Sequence, residues 1–147
     1  MESGAIPDSS ITASSSFDSR YLPHRARLNL KEMPSGWQSK TKGSGEWIQV
    51  DLGQVTYVTG IATQGAFNHN TEWMTSYSVQ YSGDGKTFVD YQAGKSLPGN
   101  SDKYTVVKND LQPAIIEQRD QDGNKRYLPR LTIPIYFRMS SVRQKND

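Results

Sequence analysis

An all-β domain is the fold class this sequence predicts, on three observations. Short blocks rich in β-branched and aromatic residues alternate at a two-residue period, glycine- and proline-bearing turns separate them, and no segment holds a helical period long enough to form a helix. A chain of 147 residues suits one domain that buries roughly two thirds of its unfolded surface without covalent staples. Its 22% charged and 10% aromatic content is that of a folded domain, not a disordered one.

Taken in order, residues 9–19 are rich in Ser and Asp, with a short strand at Ile11-Thr12-Ala13 followed by a polar loop. Met33-Pro34-Ser35-Gly36 is a turn that delivers Trp37, a large apolar side chain expected to pack against the sheet. Residues 38–45 form a polar loop with Lys40 and Lys42; its Gly43-Ser44-Gly45 run is no phosphate cradle, because no Lys-Ser pair follows and the next element is a strand. In Trp47-Ile48-Gln49-Val50-Asp51, Ile48 and Val50 alternate with Gln49 and Asp51, continued by Leu52 and stopped by Gly53, so this is a core strand. Val58-Thr59-Gly60-Ile61-Ala62-Thr63-Gln64-Gly65 is a second strand, and Tyr77, Val79 and Tyr81 alternate along a third. The glycines of Ser82-Gly83-Asp84-Gly85-Lys86 make a tight hairpin, from which Thr87-Phe88-Val89-Asp90-Tyr91 pairs back. After a polar connection over 94–103, residues 104–107 are a strand, and Leu111-Gln112-Pro113 breaks the ladder because proline has no N–H. Leu131, Ile133, Ile135, Phe137 and Met139 alternate as a buried face would, with Pro134 confining that strand to an edge or a bulge. The competing reading of this last part is a foreign tail that leaves an exposed sheet edge.

Composition narrows the function. A net charge of +2 and a pI of about 8.8 are too mild for a nucleic-acid binder, although Arg20, Arg25 and Arg27 cluster locally. The apolar runs are too short for a transmembrane segment, and no apolar stretch marks a signal peptide in this chain. With no cysteine, a disulfide framework, a thiolate nucleophile and a sulfur-ligated zinc are excluded. The two histidines, His24 and His69, lack metal-ligand spacing, and no nucleophile elbow is present, so neither catalytic residues nor a metal site are predicted. Asp18, Asp51, Glu72 and Asp84 carry oxygens suited to Ca²⁺ but form no EF-hand loop.

The blocks Trp47-Ile48-Gln49-Val50-Asp51-Leu52-Gly53, Val58 through Gly65 and Val79-Gln80-Tyr81-Ser82-Gly83-Asp84-Gly85 resemble, in that order, the discoidin domain, the C-type domain of coagulation factors V and VIII. Ile11-Thr12-Ala13-Ser14-Ser15, Ala26-Arg27-Leu28-Asn29 and the segment from Gly99-Asn100 to Pro113-Ala114-Ile115-Ile116 extend the resemblance over about residues 1–116. It implies one discoidin-like domain over 1–147, an antiparallel jelly-roll barrel of the galactose-binding type, in which 117–147 is an atypical segment in the place of the closing strands. Discoidin domains usually carry a cysteine near each end. Two readings follow: a chain that works without that bridge, or, the reading favoured, an excerpt of a longer secreted protein.

The resemblance further implies a non-catalytic, extracellular adhesion module whose three loops project from one end of the barrel. Arg20, Tyr21, Leu22 and His24 fall near the tip of the first, Lys40 and Lys42 in the second, and Phe67, Asn68, His69 and Asn70 in the third, with Glu72 at its base. Against an anionic phospholipid surface, Tyr21, Leu22 and Phe67 would insert while Arg20, Lys40 and Lys42 meet phosphates, each basic contact contributing about 1 kcal/mol. Against a glycan, Phe67 would stack and Asn68, His69 and Asn70 would bond hydroxyls. The alternatives are an accessory carbohydrate-binding domain of a larger enzyme, or a protein-receptor or collagen-binding domain. In collagen-binding relatives an acidic residue matches Glu72, but the arginine at the other base of that loop is Ala66 here. No cofactor is expected beyond Ca²⁺, which some relatives bind. The bland reading of Tyr21 and Leu22 is that they fold back as satellite core.

Overall fold

The computed structural model describes residues 2–42, 45–53, 57–66, 72–83 and 85–115, together with the backbone of 134–141. Eight strands lie among them: β1 (Ile11–Ala13), β2 (Glu46–Asp51), β3 (Val58–Thr63), β4 (Ser76–Tyr81), β5 (Val89–Asp90), β6 (Leu97–Pro98), β7 (Val107–Ile115) and β8 (Pro134–Ser141). One sheet runs β1-β2-β8-β4-β5 with β6 also on β4, and β3 pairs with β7 in the second. Every pairing is antiparallel. The only helical turns among the described residues are of the tight three-residue kind, and no helix there is long and apolar enough to cross a membrane.

The alternation read in β2 and β4 is what fills the core. Ile48 and Val50 point inward with Ile11, and Ile6, Ala26 and Trp37 pack over them. Tyr77 and Val79, both wholly buried, join Leu97 from the same sheet and Tyr91 from the turn after β5 with Ile61, Leu111 and Ile115 from the facing sheet. Leu52 touches both clusters and makes them one interior.

Several boundaries differ from the sequence expectation, each for a local reason. Only Val89 and Asp90 of the run over 87–91 pair back, with Tyr81 and Gln80. The chain then reverses through left-handed Gln92 (φ 47°), Ala93 (φ 53°) and Gly94 (φ 79°), which turns Tyr91 inward to donate from Oη to the Pro113 carbonyl at 2.9 Å. The second strand stops at Thr63, short of Gly65. Residues 104–106 are not strand: the Asp102 carboxylate accepts from the backbone N–H groups of Tyr104 and Thr105, both at 2.7 Å, and holds the chain in a turn until Val107. Pro113 interrupts the ladder as its missing donor requires, since Val58 pairs with Ile115 but Gly60 with Asp110; the strand nevertheless resumes beyond it.

Pro134 does not force its strand to an edge. It is the first residue of β8, opposite Asp51, where a proline costs the ladder nothing, and β8 lies centrally between β2 and β4. The open edge that a foreign tail would leave is therefore absent between those two strands. All of residues 116–133 lie outside the described residues.

Register decides which loops share an end. Ala13 at the close of β1 stands beside Ile48, Glu46 at the start of β2 faces Met139, and Ser76 at the start of β4 faces Ser141. Thr63, the last residue of β3, faces Val107, the first of β7. The connections 14–45, 64–75 and 99–106 thus all leave one end of the barrel, while 52–57 closes the other.

Candidate ligand-binding end of the barrel

The long connection 14–45 rises from the sheet on a neck of hydrogen bonds. Phe17 N–H donates to the Gln38 carbonyl at 2.8 Å, Lys40 N–H to Ser15 Oγ at 3.0 Å, and the Trp37 indole to the Ser15 carbonyl at 2.8 Å. Glu46 anchors the base by accepting from the hydroxyls of Ser14, Ser15 and Thr41. Above the neck, Asp18 accepts from Arg20 through its backbone N–H at 2.8 Å and its guanidinium at 2.7 Å. Arg20 lies over the Tyr21 ring, 5.6 Å from its centroid, and Tyr21 meets Phe17 edge-on at 6.1 Å. Neither Tyr21 nor Leu22 belongs to the core clusters; Phe17 is 54% exposed and Leu22 38%. The chain then drops back through a helical turn, Pro23–Ala26, whose Ala26 packs on the β1 side. His24 is half-buried in that turn.

The third loop is pinned to this structure by its two bases. Ala66 N–H donates to the Glu72 carbonyl at 3.2 Å, which joins the two described flanks of that connection. Gly36 abuts Ala66 so closely that a side chain at position 36 would meet the Ala66 methyl at 2.8 Å. Glu72 has Lys42 at 3.9 Å as a cationic neighbour, across a small cavity of about 90 Å³ lined by Trp37, Lys42, Glu72 and Trp73. That is well below the ~300 Å³ at which ordinary small-molecule pockets begin. Lys40 is exposed nearby. Phe67, Asn68, His69 and Asn70 lie outside the described residues; of the other positions read from sequence, Arg20, Tyr21, Leu22, His24, Lys40 and Lys42 lie on the 14–45 connection and Glu72 on 64–75, where Lys42 approaches it.

Sequence reasoning overlooked Phe17, hidden in a serine-rich run, and misassigned Tyr104, whose ring is 63% exposed on the neighbouring 99–106 connection. The signal for the second was available: Asp102 two residues ahead of Tyr104 is the pattern of a side chain that closes a turn on the backbone beyond it. Of the residues with oxygens suited to Ca²⁺, Asp84 lies outside the described residues. Asp18 is held by Arg20, Asp51 accepts from Gly53 N–H at 2.8 Å, and among the described residues no three His, Cys, Asp or Glu side chains group around a common point.

Three carboxylates of this end, Asp18, Asp102 and Glu46, are held below their ordinary range. Hydrogen bonds from Arg20 hold Asp18 below its usual 3.8, and those from Thr105 and Tyr104 do the same to Asp102. Burial alone would raise Glu46, but the Ser14, Thr41 and Ser15 hydroxyls outweigh it and the net shift is below 4.5. A depressed carboxylate stabilises the fold at all pH values above its unfolded pKa, and that contribution disappears as pH falls through the folded value. Thermal unfolding should therefore be flat above about pH 5 and decline below it. Glu46→Gln should shallow that decline; an unchanged acid limb would show that the hydroxyl cluster is not linked to folding.

The comparisons with known proteins agree with this architecture. Residues 10–119 match the F5/8 type C domain model. Human retinoschisin is 37% identical over 128 residues, covering 80% of this chain and 57% of that protein. Coagulation factor V of Pseudonaja textilis is 37% identical over 127 residues, 80% of this chain but 9% of its own length. The chain thus spans under two thirds of either relative. Discoidin II from Dictyostelium discoideum shares the fold at a TM-score of 0.72 and 19% identity, over 90% of this chain and 49% of that one. On the extent of the family match and the identity to retinoschisin, the chain belongs to the F5/8 type C (discoidin) domain family.

Proposed function

We propose that this domain is a non-catalytic adhesion module that works outside the cell and binds anionic phospholipid membranes through the loops at one end of its barrel. The observation that carries this reading is the pairing of exposed apolar side chains, Phe17 and Leu22, with exposed Lys40 and the Asp18-bound Arg20 on the one long connection 14–45. Apolar groups supply burial in the acyl boundary, and cations supply attraction to phosphate, so the two together suit a bilayer surface better than either alone. Phe67 extends the apolar set; Asn68, His69 and Asn70 supply hydrogen-bond groups to headgroups; Tyr21 and Lys42 complete the contact around Glu72. The small volume between Trp37 and Trp73 disfavours a buried sugar ring. Calcium is not required by this mechanism.

Sedimentation with phosphatidylcholine vesicles, with and without phosphatidylserine, tests it. Binding should need the anionic lipid and weaken with salt. Phe17→Ala combined with Leu22→Ala should lower partitioning by roughly tenfold or more, since each side chain offers up to about 2 kcal/mol of burial. Tyr57→Ala, at the opposite end and 68% exposed, should leave it unchanged. Equal binding by the double variant would end the reading; capture on a glycan array without vesicle binding would replace it with the carbohydrate one.

A further inference from the structure

We propose that residues 102–105 form a fourth contact element, in which Tyr104 seats its ring at the headgroup level of an anionic bilayer and Lys103 meets a lipid phosphate. The inference rests on the membrane reading above and extends it to a connection outside the three loops.

Four observations converge. Tyr104 is among the most exposed large side chains described, at 63%. The Lys103 ammonium lies 5.2 Å from the centre of its ring, so an amphipathic aromatic and a long-stemmed cation are presented together. That pairing matches a bilayer interface, where the phenol body is apolar, its hydroxyl is wet and the lysine stem reaches outward to charge. The turn that carries them is built in advance: Asp102 accepts from Tyr104 N–H, Thr105 N–H and Thr105 Oγ1, all at 2.7 Å, which also turns its own negative charge back into the loop. A preorganised turn loses little conformational freedom on binding.

The turn is also locked to the ligand end. Gln64 donates from Nε2 to the Tyr104 carbonyl at 3.0 Å while its Oε1 accepts from Asn29 N–H at 3.0 Å, and so ties the turn to the long connection 14–45. A methyl on Gly65 would collide with the Lys103 Cα at 2.5 Å. Asn100 secures the other side by donating to the carbonyls of Thr63 and Thr105. Lys103 thereby adds a second cation to exposed Lys40 at this end, where Arg20 and Lys42 are paired with Asp18 and Glu72.

Because the chain has no cysteine, single-cysteine variants report one position each. Leu22→Cys, Tyr104→Cys and Tyr57→Cys, each labelled with the environment-sensitive fluorophore NBD, are mixed with vesicles containing phosphatidylserine. The label at 104 should shift blue and brighten as the one at 22 does, while that at 57 stays as in buffer. Lys103→Ala in the unlabelled chain should weaken partitioning about fivefold, and Lys95→Ala not at all. A response at 22 without one at 104 overturns the fourth contact and leaves the membrane reading standing; silence at both positions overturns the two together.

Discussion

Gly99→Ala is expected to lower stability by about 3 kcal/mol and the melting temperature by about 10 °C, although it adds a single methyl group. The reason is space, not backbone torsion, for Gly99 is not among the residues with positive φ. A β-carbon there would stand 2.1 Å from the Met74 carbonyl oxygen and 2.9 Å from its carbon, and these are main-chain atoms that cannot swing aside. Relief requires moving the 99–106 connection off the start of β4. Two hydrogen bonds hold it there, Gly99 N–H to Thr75 O at 2.9 Å and Asn100 N–H to Met74 O at 2.6 Å. The same displacement would carry Lys103 and Tyr104 out of line with the other loops, so vesicle binding should fall even at temperatures where the variant is folded. Ser101→Ala, exposed two positions on, should change the melting temperature by less than about 2 °C. Thermal unfolding followed by circular dichroism decides the matter: a Gly99→Ala protein as stable as Ser101→Ala would mean that the close approach is not a feature of the folded state.

What could be read from the chain beforehand divides along a physical line. Strands with one buried face announce themselves, because Ile48 and Val50, or Tyr77 and Val79, must all be apolar while their neighbours need not be. The alternation of Ile135, Phe137 and Met139 was equally visible, yet nothing local says that the strand will sit between β2 and β4; register between segments this far apart is set by the whole sheet. Pro134 misled for a related reason, since a proline's cost depends on whether its position needs a donor. The strand over 87–91 was legible, but its shrinkage to Val89 and Asp90 was not, because the reversal beyond it uses left-handed Gln92 and Ala93, residue types that do not favour that conformation. Loops betrayed themselves by polarity, as residues 38–42 show ahead of β2. Tyr104 was lost to the strand propensity of tyrosine, which the Asp102 turn overrides.

Tyr77→Ala should be the most damaging change among the core residues, at about 3 to 5 kcal/mol. Tyr77 is wholly buried where the two sheets meet, packed in the cluster with Ile61, Val79 and Leu111, and no water can fill the space its ring leaves without facing apolar walls. Such a loss is a large share of the 5–15 kcal/mol that holds a typical domain, and this one has no disulfide to limit the unfolded chain. The ring also has a polar task. Its hydroxyl accepts from Asn109 Nδ2 at 2.9 Å, and the same amide donates to the Pro98 carbonyl at 2.8 Å, so one side chain joins β4, β6 and β7. Burial pushes the phenol pKa up, with the Asn109 bond opposing, and the group stays neutral throughout the working range. Tyr77→Phe therefore separates packing from hydrogen bonding: it keeps the ring, leaves Asn109 its bond to Pro98, and should cost about 1 kcal/mol. Chemical denaturation of the two variants gives the ratio directly. If Phe proved as harmful as Ala, the hydroxyl network and not the ring would be what fastens the sheets together.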